Sequence, residues 1–415
     1  MAAEEPRHVL DGYKVLDFTH IVAGPTCTLM LAEMGAEVIK VVFAPDGDPA
    51  RQGPYLVNSR SGYFVQHNRG KKGLCINLKH PEAAEIIRGL IPQVDVLVEN
   101  YAPGVMGRLG FDYAAVSSLN PAIVMCSISA FGQRGLLANE PGFDYLGAAY
   151  AGIVSMCGEP DGAPYVPMVA LGDVSTGVHA MGAICAALLG RARTGRGQHL
   201  DISLLDTYMH YHECGIEAHS LSRGEVKPSR SGQHSWYAVP AGIFKGRDHY
   251  FIIIAPLDHH FAALCRSMGQ PELAADPHFH SNADRLANLN ELIAIIEQWL
   301  QGVGDDAAMA AMKEYRVPHA PVLSVAEAVR HPHLRERGTV RTVHDRILGD
   351  FDVPGFALRF SDYPGRLELG EAAFAQEFRA VVVRVGNDAL PRRLDAATKG
   401  PVLELAKLSK AGAAS

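Results

Sequence analysis

Asp173 stands between Gly172 and Val174 at the head of a long apolar run, MVALGDVSTGVHAMGAICAALLGRARTGRG, Met168 to Gly197. A carboxylate at that place has two chemistries open to it. As a helix N-cap, a role Ser175 or Thr176 could also fill, it satisfies an orphan N–H group, worth about 1 kcal/mol. As a functional anion or nucleophile it is held at a helix start that favours negative charge. Gly172, with no side chain, then leaves room for a close approach. The local pattern alone favours the cap.

A second group of residues could bind an anionic ligand. NRGKKGLCINLK places Arg69, Lys71, Lys72 and Lys79 around one short strand. VENYAPGVMGRLG places Asn100 and Tyr101 at a strand end, with Arg108 seven residues beyond. An aromatic ring that packs on a base and cations that meet phosphates would suit a nucleotide. Ordinary solvated charge beside a turn is the alternative.

Other chemistries lack their residues. There is no GxGxxG after the first strand and no GxxxxGK[ST], which argues against a dinucleotide site or a P-loop. The 19 histidines show no HExxH, and no CxxC completes a tetrahedral metal set, so no metal site is expected. The alternating His210, His212 and Cys214 read as a continuing helix, where they point to different faces. No GxSxG marks a serine nucleophile.

The elements that must carry these groups follow from periodicity. Val178, Met181, Ile184, Cys185, Leu188 and Leu189 form a helical stripe after Asp173. Arg191 and Arg193 suit its carboxyl end, and Gly195 and Gly197 can take the left-handed conformation that stops it. YKVLDF (Tyr13 to Phe18), EVIKVV, LCINL, DVLVEN and AIVMCSIS read as strands. A loop with Gly24-Pro25 and a helix through Met34 follow the first strand, and PEAAEIIRGLI, Pro81 to Ile91, is a helix with proline in its first turn. Near-continuous apolar strands alternating with helices predict a parallel sheet covered on both faces. Its ligand crevice lies at the carboxyl ends of the strands.

The texture changes near residue 220, where SRGEVKPSRSGQHS reads as a linker. YFIIIA, LNELIAIIEQWLQG and DDAAMAAMKEY then read as a strand and two helices of a smaller α/β domain, 223–325. TVRTVHDRILGDFDVPG is hairpin-like, and the tail ATKGPVLELAKLSKAGAAS reads as a short amphipathic helix. The large domain is thus 1–222, completed by 326–415.

The chain has 415 residues, 48% hydrophobic and 20% charged, with net charge −7. No basic excess suits a nucleic-acid partner. The acidic amino terminus has no secretory pattern, and the apolar stretch Met181 to Leu189 is too short to span a bilayer. Seven scattered cysteines suggest a reduced, cytoplasmic protein.

Taken together, LDGYKVLDFTHIVAGPTCT, MGAEVIKV, GDPAR, NRGKKGLCINLK, DVLVENYAPGVMGRLGF, PGFDYLGAAYAG, ALGDVSTGVHAMGAICAALL and TGRGQHLDISLLD resemble the class III CoA-transferases, the family of formyl-CoA transferase and carnitine-CoA transferase. The resemblance is strongest from Leu10 to Leu205. It implies a Rossmann-like large domain with a smaller domain, in an interlocked homodimer or a hetero-dimer with a related chain. Asp173 falls on the family's nucleophile. The CoA pocket maps onto Val22, Ala23, Ile76, Leu78, Lys79, Asn100, Tyr101, Arg108 and Leu109. A CoA thioester is then the substrate, with no permanently bound cofactor. Ser229 to Ser235 is a candidate lid.

The same resemblance brings in an acyl-CoA racemase branch, whose base is a histidine where this chain has Phe143. Phenylalanine carries no proton, so racemisation is disfavoured. A non-catalytic CoA-binding partner subunit is the other alternative. Phe43 and Val22 replace an arginine and a glutamine of the family, its glycine-rich run in the small domain is not evident, and its LGEHT-like motif gives way to LPRRLDAATKG. Ile21 and Phe143 suggest an apolar substrate pocket for a dicarboxylic or aromatic acid larger than oxalate, with succinyl-CoA as donor.

Overall fold

The computed structural model describes residues 7–43 and 47–363. The tail helix and the segment LPRRLDAATKG lie outside these residues. The chain groups into two compact units.

The first unit comprises the chain up to Ala151, Pro167–Tyr211 and the segment from Pro332 onward. Its sheet contains β1 (Lys14–Phe18), β2 (Glu37–Phe43), β3 (Lys72–Ile76), β4 (Val96–Glu99), β5 (Val124–Ser129) and β6 (Gln198–Ser203). The order is β3-β2-β1-β4-β5-β6, and every pairing is parallel. Side chains alternate between two cores, as the period of a strand requires. Val15, Val96 and Val98 enter one core with Cys27, Ile184 and Leu188. Leu16, Leu97 and Met125 enter the other with Ala83 and Ile87. On opposite faces, helix α1 (Ala23–Glu33) supplies Cys27, with Ile184 and Leu188 coming from a later helix, and α2 (Pro81–Leu90) supplies Ala83 and Ile87.

Polar residues interrupt the apolar strands towards their carboxyl ends. Asp17, Lys40, Glu99 and Ser127 are all buried. Asp17 lies opposite Lys40, and Glu99 opposite Ser127. The crevice end of the sheet is therefore where charge has been brought inside.

Helices α3 (Asp144–Tyr150), α4 (Leu171–Thr194) and α5 (Leu204–His210) complete the site-bearing part. α4 buries Gly172, Thr176, Gly177, Ala180, Met181, Ile184, Ala187 and Leu188, while Val178 and Leu189 point outward. By length and apolarity it could cross a bilayer, unlike the shorter stretch that the sequence suggests, but its inner face packs on α1. Gly195 ends it at φ +70°. Gly197 is needed for another reason: a Cβ there would sit 1.8 Å from the Ile123 carbonyl oxygen.

The structure differs from two expectations. Gly24-Pro25 lies inside the first turn of α1 rather than in a loop. α5 stops at His210, so His212 and Cys214 do not continue it. β6 is a strand that apolar runs did not reveal.

The second unit, Gly152–Val166 and His212–His331, contains the interval 223–325. Strands β7 (Ala241–Lys245), β8 (Tyr250–Ile254) and β9 (His319–Pro321) pair antiparallel with β8 central. Helices α6 (Leu289–Val303) and α7 (Asp305–Glu314) cover it. Leu292, Ile296 and Leu300 of α6 meet Phe244, Phe251 and Met312 in its core, the helical spacing seen in the sequence. Back in the first unit, β10 (Val340–Asp345) and β11 (Gly349–Pro354) form the expected hairpin. It is tied down by Arg60 on Asp345 and Arg341 on Glu33.

Candidate active site

The structure rejects capping by Asp173. The N-cap of α4 is Ala170, and no side chain caps it. Asp173 is the third helical residue, and its carboxylate has no hydrogen-bond donor among the described residues. The first-turn N–H groups are already engaged. Leu171 donates to the Val169 carbonyl (2.8 Å) and Val174 to that of Ala170 (3.0 Å). Gly172 donates to the Tyr208 hydroxyl (3.1 Å), and Asp173 to Asp144 Oδ2 (3.2 Å). None is left to stabilise an oxyanion.

Burial without a donor, with the Asp144 charge beside it, pushes the Asp173 carboxyl up to about 7. Both causes disfavour the anion. The carboxylate that does form is poorly solvated and unsatisfied, which is the condition of a reactive nucleophile. Tyr63 stands nearby: its phenol is raised by burial and then by the charges of Asp173 and Asp48.

The close approach expected at Gly172 is real, but it serves the protein itself. A Cβ there would lie 2.3 Å from Tyr208 Cε2 and 2.4 Å from Asp144 Oδ1. Gly177, one turn on, makes room for the carbonyl of Ala23, 2.5 Å from its would-be Cβ. This seats α4 against the start of α1, where Val22 is the N-cap and Ala23 the first helical residue.

The loop before α1 is clamped from below. Ile21 has φ +67°, a strained value for a β-branched residue. Its N–H donates to Asp48 Oδ1 (3.1 Å). Asp48 Oδ2 pairs with Lys40 Nζ at 2.9 Å, both side chains fully buried. Lys40 also donates to the Thr19 carbonyl (2.7 Å). Asn100 accepts from the His20 N–H (2.8 Å) and donates to its carbonyl (2.9 Å). Beneath these, Asp17 pairs with Lys71 (3.2 Å). Burial opposes the Asp17 anion, but Lys71 and Lys40 hold its carboxyl below the usual range. Burial pulls Lys71 down to about 8, against the pull of Asp17.

The basic cluster therefore divides. Lys71 is an internal counter-ion, and Arg69 is buried on Glu33 (2.9 Å), so neither is free to meet a phosphate. Lys72 pairs with Glu37 at the surface (3.0 Å). Lys79 and Arg108 remain exposed. Ile76 and Leu78 are buried in one apolar cluster, against which Phe43, Tyr101 and Leu109 pack. The Tyr101 ring stacks on Phe43 at 5.5 Å and lies 5.1 Å from His20, so part of its surface is already covered by protein. Its N–H donates to Glu99 (2.9 Å), whose carboxyl burial pushes up to about 7 against that bond and one from Ser127.

The structure thus gathers Ile76, Leu78, Tyr101 and Leu109 at one apolar cluster, and links Val22 and Ala23 both to the clamped loop and to α4. Phe143 is 69% exposed, directly before Asp144. Sequence reasoning missed Asp144, Tyr208, Lys40 and Asp48. A signal existed for two of them: a lysine within an apolar strand and a carboxylate in GDPAR both need a partner.

The family model described as "CoA-transferase family III" matches residues 10–371. An acetyl-CoA:oxalate CoA-transferase of Acetobacter aceti is 37% identical over 91% of this chain and 97% of its own. A succinyl-CoA:glutarate CoA-transferase of Mus musculus is 34% identical over 85% and 81%. The crystal structure of a CAIB/BAIF family protein from Brucella suis is 32% identical, covers 89% of this chain and 98% of that one, and superposes with a TM-score of 0.75.

Proposed function

The chain belongs to CoA-transferase family III, and we propose that it moves CoA from an acyl-CoA donor to a free dicarboxylic acid through the side chain of Asp173. CoA transfer itself follows from the family. The covalent route, the residues and the substrates are our reading.

The observation that carries the route is the Asp173 carboxylate, half-buried, without a donor among the described residues and raised to about 7. In the first step it attacks the thioester carbonyl; the C–S bond breaks and CoA thiolate leaves, giving a mixed anhydride. The thiolate attacks the aspartyl carbonyl, so the donor acid departs and an aspartyl-CoA thioester remains. The acceptor carboxylate attacks that thioester and expels CoA thiolate again, forming a second anhydride. The thiolate then attacks the acceptor acyl carbonyl, which frees Asp173 and yields the new acyl-CoA. No step transfers a proton, so placement matters more than acid–base catalysis. The anhydrides must be kept from water.

For CoA we assign Val22, Ala23, Ile76, Leu78, Lys79, Asn100, Tyr101, Arg108 and Leu109. The clamped loop and the apolar cluster support the first and middle members of this set. The exposed cations Lys79 and Arg108 suit phosphates. The names of both relatives pair an acyl-CoA with a dicarboxylate. Ile21 and the exposed Phe143 favour an acid longer than oxalate, with succinyl-CoA as donor. The large domain at 1–222 and 326–415 and the small one at 223–325 remain the proposed division.

An interlocked dimer is the proposed assembly. Phe143, Leu146 and Tyr150 of α3 and its entry, and Leu171, Val174, Val178 and Leu189 of α4, are apolar and exposed in the single chain, as an obligate interface requires. Seven unpaired cysteines suit the cytoplasm.

The test is isotope exchange. A covalent route with a released donor acid predicts that labelled succinate enters succinyl-CoA with no acceptor acid present. Transfer to an acceptor without any such exchange would contradict it.

A further inference from the structure

The Asp173 nucleophile is placed by groups that lie outside its own helix, and they converge from two directions. Asp144 is the first residue of α3 and is 7% exposed; Tyr208 lies in α5 and is 3% exposed. The Tyr208 hydroxyl donates to Asp144 Oδ1 and accepts from the Gly172 N–H at 3.1 Å. Asp144 Oδ2 accepts from the Asp173 N–H at 3.2 Å. One phenol and one carboxylate thus hold two successive peptide groups of the first turn of α4.

Three features make this arrangement more than local packing. First, the turn has no side-chain cap of its own, so its second and third N–H groups depend on Tyr208 and Asp144. Second, Gly172 admits the Tyr208 ring against the backbone: any Cβ there would overlap both Tyr208 and Asp144. Third, burial and the Asp144 acceptor keep the phenol protonated, so it remains a donor throughout the working pH range.

We propose that Tyr208 is a positioning residue: acting through Asp144 and the Gly172 N–H, it fixes the first turn of α4 so that the Asp173 carboxylate meets the thioester carbonyl. It touches no substrate atom. It acts on the step that needs correct placement, not on CoA binding.

This rests on the reading of Asp173 as nucleophile, and the experiment separates the two. Tyr208→Phe, Asp144→Asn, their double variant and Asp173→Ala are compared with the parent enzyme. The readouts are kcat and KM for succinyl-CoA transfer, the rate of hydroxylamine trapping of the acyl-enzyme, and the melting midpoint. Phenylalanine keeps the ring against Gly172 and removes only the hydroxyl. The expected result is a fall of about tenfold or more in kcat and in trapping rate, as a small misplacement of a reacting group produces, with KM nearly unchanged. The double variant loses no more than the worse single variant, because both act along one path.

An unchanged kcat in Tyr208→Phe overturns the proposal, as does a loss confined to KM or to the melting midpoint. Additive losses in the double variant also overturn it, since Tyr208 would then not act through Asp144. If Asp173→Ala still gives the trapped adduct, the nucleophile reading fails instead. If Asp173→Ala abolishes it while Tyr208→Phe traps at the parent rate, only the positioning role falls.

Discussion

Asp173→Asn should stabilise the protein by an amount that grows as pH rises from about 4 to 7. The carboxyl is raised from 3.8 to about 7 by burial and by Asp144. That change corresponds to roughly 4 kcal/mol, at about 1.4 kcal/mol per tenfold change in proton affinity. Asp173 is partly exposed, so solvent screening makes this an upper bound. The sign follows from linkage. Between about pH 4 and pH 7 the folded protein holds this proton more tightly than the unfolded chain does. Stability therefore falls as pH rises through that window, and the full penalty is present above it. Asparagine carries no charge at any pH and escapes the penalty. Melting midpoints of parent and variant, measured at pH 5 and pH 8, give the test. The variant's advantage should be several degrees at pH 8 and less than half of that at pH 5, while CoA transfer is lost at both. An advantage equal at the two values, or larger at pH 5, would refute the reasoning that this site stores an unfavourable charge.

Two further outcomes follow from the same geometry. Lys79→Ala and Arg108→Ala should each raise KM for acyl-CoA by about fivefold at low salt, an effect that ionic strength erases because both cations are exposed; steady-state kinetics at two salt concentrations checks this. Asp48→Asn removes one partner of a fully buried pair and leaves Lys40 only the charge of Asp17, which it shares with Lys71, a cost of about 3 kcal/mol; thermal unfolding should show it, together with weaker acyl-CoA binding as Ile21 relaxes.

Much of this was legible in the sequence where burial makes residues uniform. β1, β2, β4 and β5 announce themselves because both faces are covered and nearly every position is apolar. β6 hides because QHLDIS lies at the sheet edge with only Ser203 buried, so it carries no apolar run. β7 and β9 are short edge strands of the smaller sheet and give no long apolar run either. Asp173 is legible as a candidate but not its setting: the start of α4 lacks a capping side chain, and the acceptors for its N–H groups come from residues 29 and 36 positions away. No local pattern encodes such partners. Gly172 signals a close approach in the sequence but not what approaches, which is Tyr208 and Asp144. Arg69 and Lys71 looked like phosphate ligands because spacing does not reveal which cations fold inward onto Glu33 and Asp17.

The central claim is that Asp173 carries the acyl group and then CoA. Its most direct test is the intact mass of the protein after incubation with succinyl-CoA and hydroxylamine, for the parent chain and for Asp173→Ala. The account predicts a hydroxamate at Asp173 in the parent and none in the variant. The same adduct in both chains, or none in a parent that turns over, would contradict it.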